Sequence, residues 1–137
     1  MKILSSQNAN PTLDSLAVAV LRVFVGLTMA FSHGLGKVPP PEQLIGGLES
    51  MGFPMPVFFA WCAGLAEFAG GLLLALGLLT RPSALFMAIT MAVAAFVAHA
   101  ADPFQKKEMA LLYLFISLFF FIYGAGKWSL DAKLLKK

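Results

Sequence analysis

The 137-residue sequence is poor in charge and nearly devoid of cysteine. Only 12% of its residues are Asp, Glu, Lys or Arg, about half of what soluble domains carry, whereas 59% are hydrophobic. A soluble fold of this length could not hide so much apolar surface, so lipid is the solvent for most of the chain. The single cysteine, Cys62, excludes an internal disulfide and any dithiol pair; it reads as a small apolar packing residue. Two histidines with no CxxCH motif and no nearby carboxylate triad make a poor metal or haem ligand set, and no metal is expected. Flavin and dinucleotide fingerprints are absent, as is an iron–sulfur ligand set, so no intrinsic cofactor is expected. The net charge of +3 comes from basic residues scattered between apolar segments, which excludes a nucleic-acid stripe and makes them topology signals. The first residues, MKILSSQNANPTLDS, carry too short an apolar stretch for a signal peptide.

What is abundant is apolar length. Four segments, 16–36, 57–79, 82–101 and 107–127, are each long enough to cross a bilayer core, which takes about 20 helical residues. Backbone groups in lipid must bond internally, so all four read as helices. The expected fold is an all-α integral membrane four-helix bundle over residues 14–131. A polar, flexible tail precedes it (1–13), and a basic tail follows (132–137). The tight Thr80-Arg81-Pro82 break makes the middle pair a hairpin, with Pro82 in the first turn of its second helix. Asp102, followed by Pro103 and Gln105, reads as an N-cap with a capping-box partner. The first connection, 38–56, holds five of the eight prolines, with Leu44, Ile45, Leu48 and Met51 at helical spacing between them. That predicts a short amphipathic or re-entrant helix on the membrane surface, between proline stops. Lys2, Arg81, Lys127, Lys133, Lys136 and Lys137 fall on one side, against Lys37, Lys106 and Lys107 on the other. This places both termini in the cytoplasm.

Within the second segment, GLAEFAGGLLLALG (64–77) contains one carboxylate, Glu67. At 3.6 residues per turn, Ala60, Gly64, Glu67, Gly71 and Ala75 share an arc of roughly 80°. Small residues admit a neighbouring helix, so this arc faces protein and the bulky flank faces acyl chains. Arg22, Gly26, Met29, His33 and Gly36 likewise share a face of the first segment, continued by Lys37. Ala88, Ala92, Ala95 and His99 do so on the third, and Tyr113, Ser117, Phe120 and Gly124 on the fourth. A lone charge at the bilayer centre costs about 2.5–3.5 kcal/mol or more. With the spans aligned by their centres, Arg22 lies about one turn from the level of Glu67, which makes it the expected ion-pair partner. The pair serves either as a lock between helices or as a proton-linked functional site. A second cluster, His33, Lys37, His99 and Glu108, gathers at the outer surface. Its histidines read as interfacial hydrogen-bonding groups, as ligands for a quinone carbonyl, or, less readily, as metal or haem ligands.

Taken in order, these residues resemble the DoxX family of small four-helix membrane proteins. The resemblance runs from about residue 14 to 131. It is carried by Val20-Leu21-Arg22, HGLGK (33–37), GFPMP (52–56), AEFAGGLLLALGLLTR (66–81) and GAGKWSLD (124–131). Arg22, His33, Gly34, Lys37, Glu67, Gly126, Ser129 and Asp131 match family motif positions. Ala125 departs from them, since the family often has proline there. The resemblance implies a bacterial inner-membrane protein linked to quinone-dependent oxidation of sulfur compounds or to redox complexes that handle oxidative stress.

The leading expectation is therefore a membrane subunit of a quinone-linked oxidoreductase system. In it, His33 and His99 hold the quinone, Glu67 and Arg22 carry proton-linked charge, and electrons come from a redox partner protein. The alternatives are a non-enzymatic scaffold that docks partners and, below it, a small transporter or proton conduit. Small-residue faces leave room for a homodimer within the bilayer.

Overall fold

The computed structural model describes residues 10–135, all helices and turns with no strand among them. Helix α1 (Pro11–Thr28) opens three residues earlier than Asp14, because the Asn10 side chain accepts from the backbone N–H groups of Thr12 and Leu13 at 3.1 and 3.4 Å. Pro11 at the first helical position has no N–H that would need a partner. Residues 1–9 of the expected tail lie outside the described residues, as do Lys136 and Lys137. Helix α1 then widens into a π-helical turn (Met29–Gly34) and tightens into a 3₁₀ turn (Leu35–Lys37), so one helical rod runs from Pro11 to Lys37.

The amphipathic segment expected in the first connection forms α2 (Glu42–Ser50), which buries Leu48 and packs on the next helix. Helix α3 (Pro56–Leu76) ends at Gly77, whose φ of 67° lets the last carbonyls be capped by the N–H groups of Gly77 and Leu78. Helix α4 (Thr80–Val93) follows after a tight turn and also ends in a π-helical turn, Ala94–Ala98. Helix α5 (Phe104–Tyr123) and a short α6 (Leu130–Leu134) complete the fold.

Among the described residues, three rods are long and apolar enough to cross a membrane: Pro11–Lys37, Pro56–Leu76 and Thr80–Ala98. Helix α5 has a comparable length, but Lys106, Lys107 and Glu108 interrupt its apolar run near the start. Val25 and Met29 of α1, Leu74 of α3, Ala84, Met87 and Met91 of α4 and Phe120 of α5 close one common core. Large apolar residues such as Phe24, Phe31, Phe86, Phe115 and Ile122 point outward, which suits acyl chains and not water.

Glycine sets the register between α1 and α3. A Cβ on Gly26 would run into Gly71 and Ala75, one on Gly34 into Glu67 and Phe68, and one on Gly64 into the carbonyl of Lys37. The two rods therefore lie antiparallel with their backbones nearly touching. The inward stripe of α3 contains Ala60, Gly64, Glu67, Gly71 and Ala75, as its periodicity predicts.

Candidate functional site

Glu67 lies in the inward seam of α3 and is 2% exposed. The glycine register brings the end of α1 beside it, and Lys37 reaches over from that end. Its Nζ donates to both carboxylate oxygens, at 2.8 Å to Oε1 and 2.7 Å to Oε2. The lysine side chain is 33% exposed, so the pair has one dry member and one that reaches the surface. His33, one turn before Lys37 and in electrostatic range of Glu67, meets Tyr113 of α5 edge to face, with ring centroids 5.4 Å apart. Both rings are half-buried. Carboxylate, ammonium, imidazole and phenol thus lie along one path from the end of the α1 rod, beside its π-helical turn, to the middle of α3 and of α5. Single π-turns are frequent at functional sites, because the extra residue re-aims side chains without breaking the helix.

A second polar centre occupies the opposite end. Arg22, 3% exposed, is satisfied by carbonyls alone. Nη1 donates to Ala125, Nη2 to Trp128 at 2.8 Å, and Nε to Ala75 at 3.5 Å. The Ala125 and Trp128 carbonyls are free because α5 ends before Gly124, and Gly124 and Gly126 both adopt positive φ, which unwinds the chain; the Ala75 carbonyl belongs to the last turn of α3. Asp131 accepts from the backbone N–H groups of Leu79 and Thr80, both at 2.9 Å, and so caps α4 from more than fifty residues away. Its own N–H donates to the Gly77 carbonyl at 2.8 Å. Ser129 caps α6 by accepting from the N–H of Ala132, and its hydroxyl donates to Gly126. Gly77 has no space for a side chain between Arg22 and Ser129.

The DoxX family profile matches residues 17–100, well over half of the chain and nearly all of α1 to α4. The chain belongs to the DoxX family. It is similar to an uncharacterized protein of Haemophilus influenzae, 38% identical over 128 residues that cover 88% of this chain and 92% of that one. It is also similar to the Escherichia coli "Inner membrane protein YqjF", 33% identical with 91% and 97% covered. With the Bacillus subtilis "Putative oxidoreductase CatD" it shares 30% identity, with 88% and 89% covered. No solved structure matches. This is a membrane protein, and its DoxX match includes Arg22, His33, Gly34, Lys37 and Glu67 but stops before the capping segment 124–131.

The expected Arg22–Glu67 ion pair is not formed in this DoxX chain. Aligning the spans by their centres misplaces the register. Arg22 bonds to the Ala75 carbonyl, eight residues along α3 from Glu67, a rise of about 12 Å. Lys37 is the partner instead. Nor do the four residues of the expected outer cluster form one group. Lys37 goes to Glu67, and His33 to Tyr113. His99 meets Asp102 with Nδ1 and Oδ2 2.7 Å apart, and Glu108 is exposed in no ion pair among the described residues.

Asp102 is not the side-chain cap of α5 that Gln105 suggested: Pro103 holds the cap position without a side-chain hydrogen bond. The carboxylate turns to His99, with Lys106 3.8 Å away. The His99 hydrogen bond, assisted by Lys106, holds the Asp102 carboxyl below the usual carboxylate range. Two participants escaped the sequence reading as members of a site. Tyr113 was visible only as part of a weakly polar stripe. The Ala125 carbonyl has no side-chain signature at all, although the two glycines beside it mark an unwound backbone; proline at that position would supply the same acceptor.

Proposed function

We propose that this DoxX chain is the membrane-embedded subunit of a quinone-linked oxidoreductase system in the bacterial inner membrane. One observation carries the reading: a carboxylate–ammonium pair with a buried acid, Glu67–Lys37, stands beside an imidazole–phenol pair, His33–Tyr113, within an otherwise apolar helical assembly. Intramembrane ionisable groups are costly and mark ion, proton or ligand sites far more often than chance. The names of the Bacillus and Escherichia coli relatives support the redox class and the inner membrane respectively.

The donor set suits a quinone head: His33 and Tyr113, half-buried on facing helices, supply a hydrogen-bonding nitrogen and a hydroxyl for carbonyl oxygen. A bound quinone would accept two electrons and two protons. His33 holds the carbonyl and hands on a proton from its ring nitrogen. Glu67, kept in place by Lys37, stabilises the imidazolium before the transfer, which leaves a neutral imidazole that takes up a proton from water and delivers it as the second. Electrons come from a redox partner protein, since the chain carries no flavin, dinucleotide or iron–sulfur motif. His99, bound to Asp102, has no part in the site.

In this reading α5 is a fourth span. From Met109 to Tyr123 its apolar run is about 22 Å long, and Lys106 and Lys107 extend their stems to reach the headgroups. Helix α2 lies on the outer surface, and both termini are cytoplasmic.

The test is to purify the protein gently from its native membrane, extract it with organic solvent and identify the extract by mass spectrometry. A quinone in near-stoichiometric amount, lost in a folded His33→Ala variant, is the expected result. Bulk phospholipid alone, or a quinone retained by His33→Ala, refutes the site.

A further inference from the structure

At the end opposite Glu67, the segment after Gly124 folds back across the helices and leaves a groove on each side of itself. One, of about 500 Å³, is lined by Ala75, Leu76, Lys127, Trp128, Leu130 and Lys133, with Ser129 at its floor. The other is lined by Arg81 together with Asp131, so its charge is internally compensated. The first groove holds no carboxylate in its lining. Asp131 is the one acid in the segment 124–135, and both its oxygens are spent on the start of α4. Lys127 and Lys133 are exposed and in no ion pair among the described residues.

We propose that this groove binds the headgroup of an anionic phospholipid. Charge complementarity selects the occupant: two uncompensated ammonium groups flank a wall made of Ala75, Leu76 and Leu130, which suits a phosphodiester with acyl chains attached. Trp128, 52% exposed, adds the amphipathic ring favoured at the headgroup level. The groove is also fixed in place. The Trp128 carbonyl is held by Arg22 at 2.8 Å, and Ser129 caps the short helix that carries Lys133. The site therefore exists before the lipid arrives, and little ordering entropy is lost on binding.

Native mass spectrometry of the full chain in detergent, titrated with phosphatidylglycerol, tests this. Each lysine near the surface contributes about a five-fold gain in affinity for an anionic lipid, so Lys127→Gln with Lys133→Gln weakens binding about 25-fold. Lys127→Arg with Lys133→Arg retains it, and Lys106→Gln with Lys107→Gln, at the other end, leaves it unchanged. Phosphatidylcholine and the acyl-free headgroup glycerophosphoglycerol both bind at least ten-fold more weakly than the lipid. Both groove side chains are exposed, and an unchanged helical circular dichroism spectrum confirms that each variant is folded. Equal binding of phosphatidylcholine, equal binding of the acyl-free headgroup, or wild-type affinity in the double glutamine variant overturns the proposal.

Discussion

Removing Lys37 destabilises the fold more than removing Glu67, even though the two side chains form one ion pair. The cause is the asymmetry of burial. Lys37→Met leaves a carboxylate that is 2% exposed without a counter-charge. Breaking a buried pair from one side costs about 3–5 kcal/mol, and the surface contact of this one puts it near the lower figure. Glu67→Gln leaves instead an ammonium group that is already a third exposed and swings to the surface on its four-carbon stem. The amide oxygen of glutamine also keeps one acceptor in place, so the loss is about 1 kcal/mol. Replacing both charges, Lys37→Met with Glu67→Gln, leaves no buried charge and only a partly bonded amide, so the double variant costs about 2 kcal/mol against about 4 for the sum of the singles. The coupling between the two positions is therefore about 2 kcal/mol. Unfolding of the purified protein in mixed micelles by increasing SDS, followed by circular dichroism, measures all four corners of the cycle. Equal costs for the two single variants, or a double variant as unstable as the sum of both, would refute the reasoning from burial.

Arg22→Leu and Glu67→Leu act independently, because their partners are separate. Their costs in the same SDS titration add to within about 0.5 kcal/mol, and a coupling above 1 kcal/mol would restore the direct pair that the register denies. The α4–α5 turn is acid-sensitive. The Asp102 carboxyl is held below its usual range, so its contribution to the turn is complete above the unfolded value near 4 and is lost as pH falls through the lower folded value. Protection of the amides of residues 99–106, taken relative to their intrinsic exchange rates, falls over that acid range in the wild type, whereas Asp102→Asn shows the lower protection already at neutral pH and does not change across the range.

Helix faces were legible in the sequence because lipid and protein demand opposite surfaces. The seam of Ala60, Gly64, Glu67, Gly71 and Ala75 follows from 3.6-residue periodicity, and the short helix α2 follows from its bounding prolines. Pairing across the seam was not legible. It depends on how far α1 slides along α3, and that offset is fixed by close backbone approach at Gly26, Gly34 and Gly64. The π-helical turn at Met29–Gly34 also escaped the sequence, since one extra residue in a turn leaves no compositional mark. It turns Ala30 and Gly34 into the interface and leaves His33 facing Tyr113. Apolar length alone does not settle α5, whose first turns hold three charges. The carbonyl cage of Arg22 was hidden for a simpler reason: backbone acceptors are the same in every residue.

The cap that Asp131 places on α4 also orders events in time. A ribosome releases residues 79 and 80 long before residue 131, so the turn between α3 and α4 enters the membrane with those two N–H groups still seeking partners. Arg22 waits longer still, because two of its three acceptors, Ala125 and Trp128, belong to the same late segment. Synthesis of the segment 125–131 thus acts as the latch that closes the assembly, and a chain interrupted at Tyr123 would be left open for quality-control proteases to recognise.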